Sequence, residues 1–171
     1  MAAITYRMGA GFAGDVNRSH PVTIEPNLVD TNAPPAIFGQ LVLVDSATQG
    51  VRPFTTGDAS QAAYGVTVRP YPFQANAASN YGAQSFGNAA APAQGAIDVC
   101  RMGYIMGQVN LGQNAPVKNG AVYVRVAATN GQHVIGQLET ASDPGNNVLV
   151  TNCTFAGGMD ANGVAEVMFN I

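Results

Sequence analysis

Short apolar runs alternate with turn residues between positions 35 and 69, and this alternation constrains the fold more than any other feature of the sequence. Residues 37–44 mix β-branched and aromatic side chains and are closed by the turn-forming residues 45–50. Residues 51–54 and 63–68 repeat the pattern on a shorter scale. The stretch therefore predicts three consecutive strands joined by turns. It holds few charged side chains and no histidine or cysteine, so we expect it to be scaffold.

The second half of the chain continues the same pattern. Its strand-like segments are residues 97–111, 121–126, 148–155 and 164–169. Asn119-Gly120 marks a tight turn, and Asn130-Gly131 marks another, after which residues 133–136 are predicted to return as a hairpin. Strands spaced by roughly 8 to 12 residues are typical of barrels and sandwiches. The sequence thus predicts an all-β fold, either a small β-barrel or a β-sandwich.

The N-terminal residues 1–34 lack a sustained hydrophobic period. Glycines and prolines interrupt the segment too often for a helix, and residues 22–25 predict one short extended piece that ends at Pro26. We interpret residues 1–34 as an extended arm preceding a β domain at residues 35–171. Composition leaves two alternatives open, a poorly ordered terminus or a strap that becomes ordered on a neighbouring chain.

One long tract, residues 74–95, is biased toward Ala, Asn, Gln, Gly and Ser and carries no charge. The sequence predicts a long loop or an insertion there. Long loops without secondary structure of their own are uncommon in compact domains and are usually functional or disordered. The tract is therefore either a contact surface or a mobile surface excursion.

Composition excludes several classes of function. The 171 residues include 20 glycines and 10 prolines but only 7 basic and 10 acidic side chains, with Lys118 the single lysine. With a net charge of −3 and no basic cluster, the sequence predicts no positively charged surface that would bind the phosphates of nucleic acid. No apolar stretch is long enough for a membrane span, and no secretion signal is evident, so we expect a soluble protein made in a cytoplasm. We interpret Cys100 and Cys153 as buried free thiols, and a disulfide between them is the alternative.

No motif predicts catalysis or cofactor binding. Residues 9–14 fit GxGxxG literally, but the strand before them and the helix after them that a dinucleotide site needs are missing. His20 and His133 lack metal-ligand spacing, and no GxSxG elbow is present. We therefore predict no catalytic residue, cofactor or metal site, although a hydrolase site assembled in space is a conceivable third reading.

The course of the chain resembles a known family of phage proteins. The residues that carry the resemblance are GFAGD in the arm, AIFGQLVLVDSATQGVRPFTTGD followed by AAYGVTVR, then IDVCRMGYIMGQV and GAVYVRV, and the closing DANGVAEVMFNI. Over nearly its full length the sequence is similar to the structural cement, or head decoration, proteins of tailed bacteriophages.

The resemblance implies a non-enzymatic virion protein on the capsid outer surface, where it would bridge neighbouring major capsid proteins. It also implies self-association as a homotrimer, with a homodimer as the next choice. The capsid-contact candidates are Phe12, Arg18, Tyr71 and Phe73, because aromatic and Arg side chains are enriched at interface hot spots. Tyr71 and Phe73 are equally interpretable as core residues. The alternative function is a carbohydrate-binding β-domain of a tail fibre or surface protein.

Overall fold

The strands form one antiparallel sheet that curls into a half-barrel. The computed structural model of the protein describes residues 11–70, 91–127, 131 and 133–171. Its nine strands are β1 (Thr23–Leu28), β2 (Leu41–Val44), β3 (Val51–Pro53), β4 (Gly65–Thr67), β5 (Ala96–Gln108), β6 (Ala121–Arg125), β7 (Leu138–Glu139), β8 (Asn147–Met159) and β9 (Val164–Phe169). No helix occurs among the described residues, so the predicted all-β class is confirmed.

The strand order is β3-β2-β4-β5-β9-β8-β6-β7, and β1 pairs with β5 beside this path. All pairs between named strands are antiparallel. An isolated parallel bridge between Val109 and Leu138 brings the end of β5 next to β7, at the far end of the path. The curl therefore places the two ends of this part of the sheet side by side.

Strand β5 organises the sheet, because its two halves have different neighbours. Its first half lies between β1 and β4, and its second half, from Gly103 onward, pairs with β9. Gly103 has a φ of +148°, and a Cβ there would lie 3.2 Å from the carbonyl oxygen of Pro21. Only glycine meets both conditions easily, so Gly103 sets the point where β5 passes from one part of the sheet to the other.

The apolar side chains form two clusters on opposite faces of β2. Leu41 and Leu43 belong to the larger cluster, which also holds the fully buried Phe155 and Phe169, whereas Val42 belongs to the smaller one. Burial on both faces explains why β2 reads as an uninterrupted apolar run. Burying each such side chain contributes about 1.5 to 3 kcal/mol.

The structure corrects two strand predictions, namely where β2 begins and which residues pair with β6. Strand β2 begins at Leu41 and not at residue 37, because Gly39 takes a φ of +73° and turns the chain. Strand β6 pairs with β7, which begins at Leu138, and the predicted segment 133–136 meets β6 at its end, where the Gly136 N–H donates to the Arg125 carbonyl over 2.8 Å. Residues 135 and 136 lie in a turn, and just before it the Val134 N–H donates to the Asn110 side chain over 2.8 Å.

A third prediction, that the N-terminal extended piece ends at Pro26, is also wrong. Strand β1 runs through Pro26 to Leu28 as the outer neighbour of β5. The Val29 N–H donates to the Gly95 carbonyl over 2.9 Å. By the alternation of an antiparallel ladder, residues 27 and 25 also bond toward β5 and Pro26 faces away. Proline is tolerated there because β1 is an edge strand and needs no donor at that position.

Candidate functional site

The N-terminal segment follows β5 for most of that strand's length. The Gly14 N–H donates to the Met106 carbonyl over 2.7 Å, and the Asn17 N–H donates to the Tyr104 carbonyl over 3.1 Å. Strand β1 then continues from Met102 to Ala96 of β5. Residues 11–28 are therefore held by their own chain, and we call them the strap. The predicted division into an arm at 1–34 and a domain at 35–171 stays a prediction.

Phe12 presents a half-exposed ring at the start of the strap. Its side chain is 44% exposed, and the guanidinium carbon of Arg69 lies 4.5 Å from the ring centroid. The Phe12 N–H donates to the Asp15 carboxylate over 3.0 Å, and that carboxylate lies 3.9 Å from Arg69. This small turn fixes the ring before any partner arrives, which lowers the entropy cost of binding through it.

Arg18 lies farther along the strap against Tyr104, with 3.8 Å between its guanidinium carbon and the ring centroid. It donates to both oxygens of Glu166, over 3.0 Å from Nε and 2.6 Å from the terminal nitrogen, and Asn17 adds a bond of 2.8 Å. Burial of Glu166 opposes its ionisation, but the bonds from Arg18 and Asn17 more than offset this and lower its pKa. Those bonds also raise the pKa of Arg18. The charge is thus already balanced within the chain.

A third guanidinium–aromatic pair, which the sequence analysis missed, lies farther along the strap. Arg101 stacks on Tyr64 at 3.5 Å and lies 2.9 Å from the Glu25 carboxylate. The Tyr64 hydroxyl donates to Glu25, and this bond raises the pKa of the hydroxyl. A short sequence motif could not predict this cluster, because its members are about 37 to 76 positions apart in the chain.

Phe12 and Arg18 thus both lie on the strap beside the second half of β5, and both side chains are about half-exposed. Tyr71 and Phe73 lie outside the described residues, as does the tract from residue 74 to residue 90. The end of that tract is described, and there Ala91 is buried in the smaller apolar cluster. The four contact candidates stay predictions.

Another polar cluster is internal and centres on Glu139 of β7, which is fully buried. Its carboxylate accepts from Asn110 over 3.0 Å and from Asn147 over 2.6 Å, and it lies 2.7 Å from Nδ1 of His133. Arg125 lies 3.6 Å away. These contacts join the end of β5, the segment at 133–134 and the start of β8, so the cluster anchors loops.

Other candidate chemistry finds no support among the described residues. His20 is exposed and bonds only to the neighbouring Ser19. Cys100 and Cys153 are free and buried, as the sequence favoured, and burial raises the pKa of both thiols. Within the described ranges no group of three His, Cys, Asp or Glu side chains is placed to hold a metal ion. Those ranges also contain no helix long and apolar enough to cross a membrane.

Comparisons with known proteins point to one family. The family model described as XM1 gp53 minor capsid protein matches residues 1–169. A chain of the solved structure described as "The capsid of Myoviridae Phage XM1" superposes with a TM-score of 0.66 at 17% identity, covering 98% of this chain and 95% of that chain. At this identity the likeness shows a shared fold. No curated protein matches the sequence.

Proposed function

Because the chain belongs to the XM1 gp53 minor capsid protein family, we propose that it serves as a structural cement protein of a phage head. The observation that carries this function is the family match over residues 1–169, nearly the whole chain. Membership supports a capsid structural role in the virion, association with other capsid proteins and a non-enzymatic role.

In this proposal the protein binds the outer surface of the head and bridges neighbouring major capsid proteins. The strap supports a binding role, since it displays the fixed Phe12 ring and the stacked Arg18 guanidinium at the surface. Side chains of these types are enriched among interface hot spots. Because both are held by intramolecular bonds, a partner would meet a preorganised surface and not a flexible arm.

The mechanism is noncovalent and depends on copy number. A protein that binds the assembled shell but not its separated subunits stabilises the shell by mass action, about 2.7 kcal/mol per site at a hundredfold excess over the dissociation constant. Self-association, as a homotrimer or alternatively a homodimer, would multiply weak contacts into avidity. Each copy can therefore bind weakly while the decorated shell gains substantially.

Co-sedimentation with expanded shells that lack the protein tests the function. We expect saturable binding and a higher temperature of genome or shell release. The double variant Phe12→Ala/Arg18→Ala should bind at least tenfold more weakly, and Ile171→Ser, which changes an exposed apolar residue outside the strap, should bind normally. Wild-type protein that leaves shells bare and their release temperature unchanged would exclude a cement role.

The sugar-binding alternative receives less support from the structure. Stacking on sugars needs open aromatic faces, but Phe12, Tyr64 and Tyr104 each carry an arginine over one face. Saturable binding on a glycan array, together with no binding to shells, would favour that alternative.

A further inference from the structure

Strand β1 displays an apolar stripe on its exposed face. Ile24, Pro26 and Leu28 alternate with Glu25 and Asn27, whose side chains bond to the Tyr64 hydroxyl, and Leu28 is 65% exposed. Asp98 of β5 lies directly opposite Pro26 in the ladder, so its side chain lies on the same face. We call Ile24, Pro26, Leu28 and Asp98 the β1 stripe.

Addition of another strand does not suit this edge. Pro26 faces away from β5 and has no N–H, so the middle of the edge cannot donate to an incoming strand. A partner must therefore contact the β1 stripe mainly through side chains. Burying Asp98 in such a contact without a cation would be costly, so the partner must also supply a positive charge.

The chain itself carries a matching surface. Val117 is 67% exposed, and the neighbouring Lys118 is exposed on the same loop before β6. We call these two residues the lysine loop. Leu28 and Val117 are the two most exposed large apolar side chains among the described residues. Each lies beside a charge, and the two charges have opposite signs.

Asp98 and Lys118 also share a property that no other Asp, Glu, Lys or Arg has in the described part of the chain. The arginines Arg18, Arg52, Arg69, Arg101 and Arg125 are paired with carboxylates. The remaining carboxylates take part in those pairs or accept backbone hydrogen bonds, as Asp30, Asp45 and Asp160 do. Only the side chains of Asp98 and Lys118 have neither a hydrogen bond nor an ion pair within the described ranges.

The two surfaces are separated within one molecule. The lysine loop is tied to β8, where the Asn119 N–H donates to the Phe155 carbonyl over 2.7 Å. Asp98 lies on β5, and β9 lies between β5 and β8 in the sheet. Contact between the two surfaces therefore requires two copies of the chain.

We propose that copies of this protein associate head to tail, with the β1 stripe of one copy packed against the lysine loop of the next. Asp98 and Lys118 form an ion pair across each contact, and Leu28 and Val117 supply its apolar part. Two different surfaces in contact generate a heterologous interface, which closes into a ring when the rotation permits. The inference deepens the self-association in the proposed function and rests on it, but it needs no capsid to be tested.

Sedimentation equilibrium of the purified full chain tests the contact. Wild-type protein should form a closed oligomer that weakens with salt, because dissolved ions screen the attraction between Asp98 and Lys118 as two copies associate. Asp98→Lys and Lys118→Asp should each raise the dissociation constant about 10- to 100-fold, since each brings like charges together. The double variant Asp98→Lys/Lys118→Asp should recover most of the wild-type affinity.

Apolar variants provide the matched controls. Leu28→Ser should weaken association at least tenfold, because it removes apolar area from the contact. Ile171→Ser removes a side chain that is 60% exposed elsewhere and should leave association unchanged. Thermal melting of every variant confirms that it is folded.

Three results would overturn the head-to-tail contact. They are a wild-type chain that stays monomeric, charge variants that associate normally, and a double variant that fails to recover. Shell co-sedimentation, run in parallel, separates this outcome from the proposed function. A monomeric wild type that loses shell binding on Asp98→Lys would assign the stripe to a capsid partner and overturn self-association while the cement role stands.

Discussion

The Arg18–Glu166 and Arg125–Glu139 pairs use the same chemical groups in opposite surroundings. Arg18 is half-exposed on the strap, whereas Arg125 and Glu139 are both almost completely buried. The exposed pair contributes little to stability, because water screens it and both side chains lose freedom. The buried pair is costly to break, because any remaining charge stays away from water.

This difference separates scaffold from contact surface in the molecule. Around Glu139, contacts from three segments fix the loops at one end of the half-barrel. Along the strap, the guanidinium groups of Arg18 and Arg101 are fixed in orientation but keep exposed surface. The Glu139 cluster therefore stabilises the fold, and the strap presents side chains for binding. Variants of the first should lower the free energy of unfolding, and variants of the second should weaken shell binding.

The largest effect is expected from Glu139→Ala. Its removal takes a buried partner from Asn110 and Asn147 and leaves Arg125 with Asp143 as its remaining carboxylate, so we expect a loss of about 3 kcal/mol in the free energy of unfolding. Urea denaturation at pH 7 measures it, with Glu166→Ala as the matched exposed variant at about 1 kcal/mol or less. The double variant Arg125→Met/Glu139→Leu should be more stable than Glu139→Ala, since it replaces the buried guanidinium together with its carboxylate partner by apolar side chains. Equal losses for Glu139→Ala and Glu166→Ala would contradict the distinction.

The next effect concerns how the strap is seated on the scaffold. A Cβ on Gly39 would lie 2.6 Å from the Met106 carbonyl oxygen and 2.7 Å from the Gly14 nitrogen, and its φ is +73°. Gly39→Ala should therefore cost about 2 to 4 kcal/mol and increase hydrogen exchange at Gly14 and Asn17. Gly95→Ala shares a positive φ but meets nothing within 4 Å, so it should cost only about 1 kcal/mol. If both variants lose the same amount, the close approach at Gly39 is not a constraint.

Local patterns predicted the strands whose signals are strong. Residues 121–126 and 164–169 were predicted almost as β6 and β9 occur, because alternating apolar residues follow tight turns there. Strand β1 was cut short at Pro26, since sequence alone does not reveal that this strand lies at an edge. A proline ends a strand when its nitrogen faces a neighbouring strand, but it is tolerated when its nitrogen faces the open edge of the sheet.

The candidate surface was predictable only in part. Phe12 and Arg18 were chosen for their residue types, and in the structure both are about half-exposed on the strap. Their partners were not predictable, because Glu166 is 148 positions from Arg18 and pairs with it only through the β5–β9 ladder. Asp98 and Lys118 likewise gained significance only when every other charged side chain in the described ranges had been matched to a partner.

The Arg52–Asp58 pair lies between the two extremes and tests how stability depends on partial burial. Two hydrogen bonds from Arg52, over 2.8 and 2.9 Å, lower the pKa of Asp58 to about 2. A folded-state pKa below the unfolded value means that the stabilisation is full at neutral pH and is lost as the pH falls from about 4 toward 2. We expect Asp58→Asn to cost about 1 to 2 kcal/mol at pH 7 and much less at pH 2.5, as measured by urea denaturation. A loss that is the same at both pH values would mean that the charge of Asp58 contributes nothing.

The smallest effect is expected at the strap itself, from Glu166→Gln. The pKa of Glu166 is lowered, so its contribution to stability is present above the ordinary carboxylate range and disappears as the pH falls. Because Arg18 is half-exposed, the loss at pH 7 should be only about 0.5 kcal/mol. Shell binding should respond more strongly than stability, since Gln cannot hold the guanidinium against Tyr104 with two charge-assisted bonds. If shell binding is unchanged in Glu166→Gln but lost in Arg18→Ala, the guanidinium acts without its fixed orientation. If Glu166→Gln loses as much stability as Glu139→Ala, the strap is part of the scaffold.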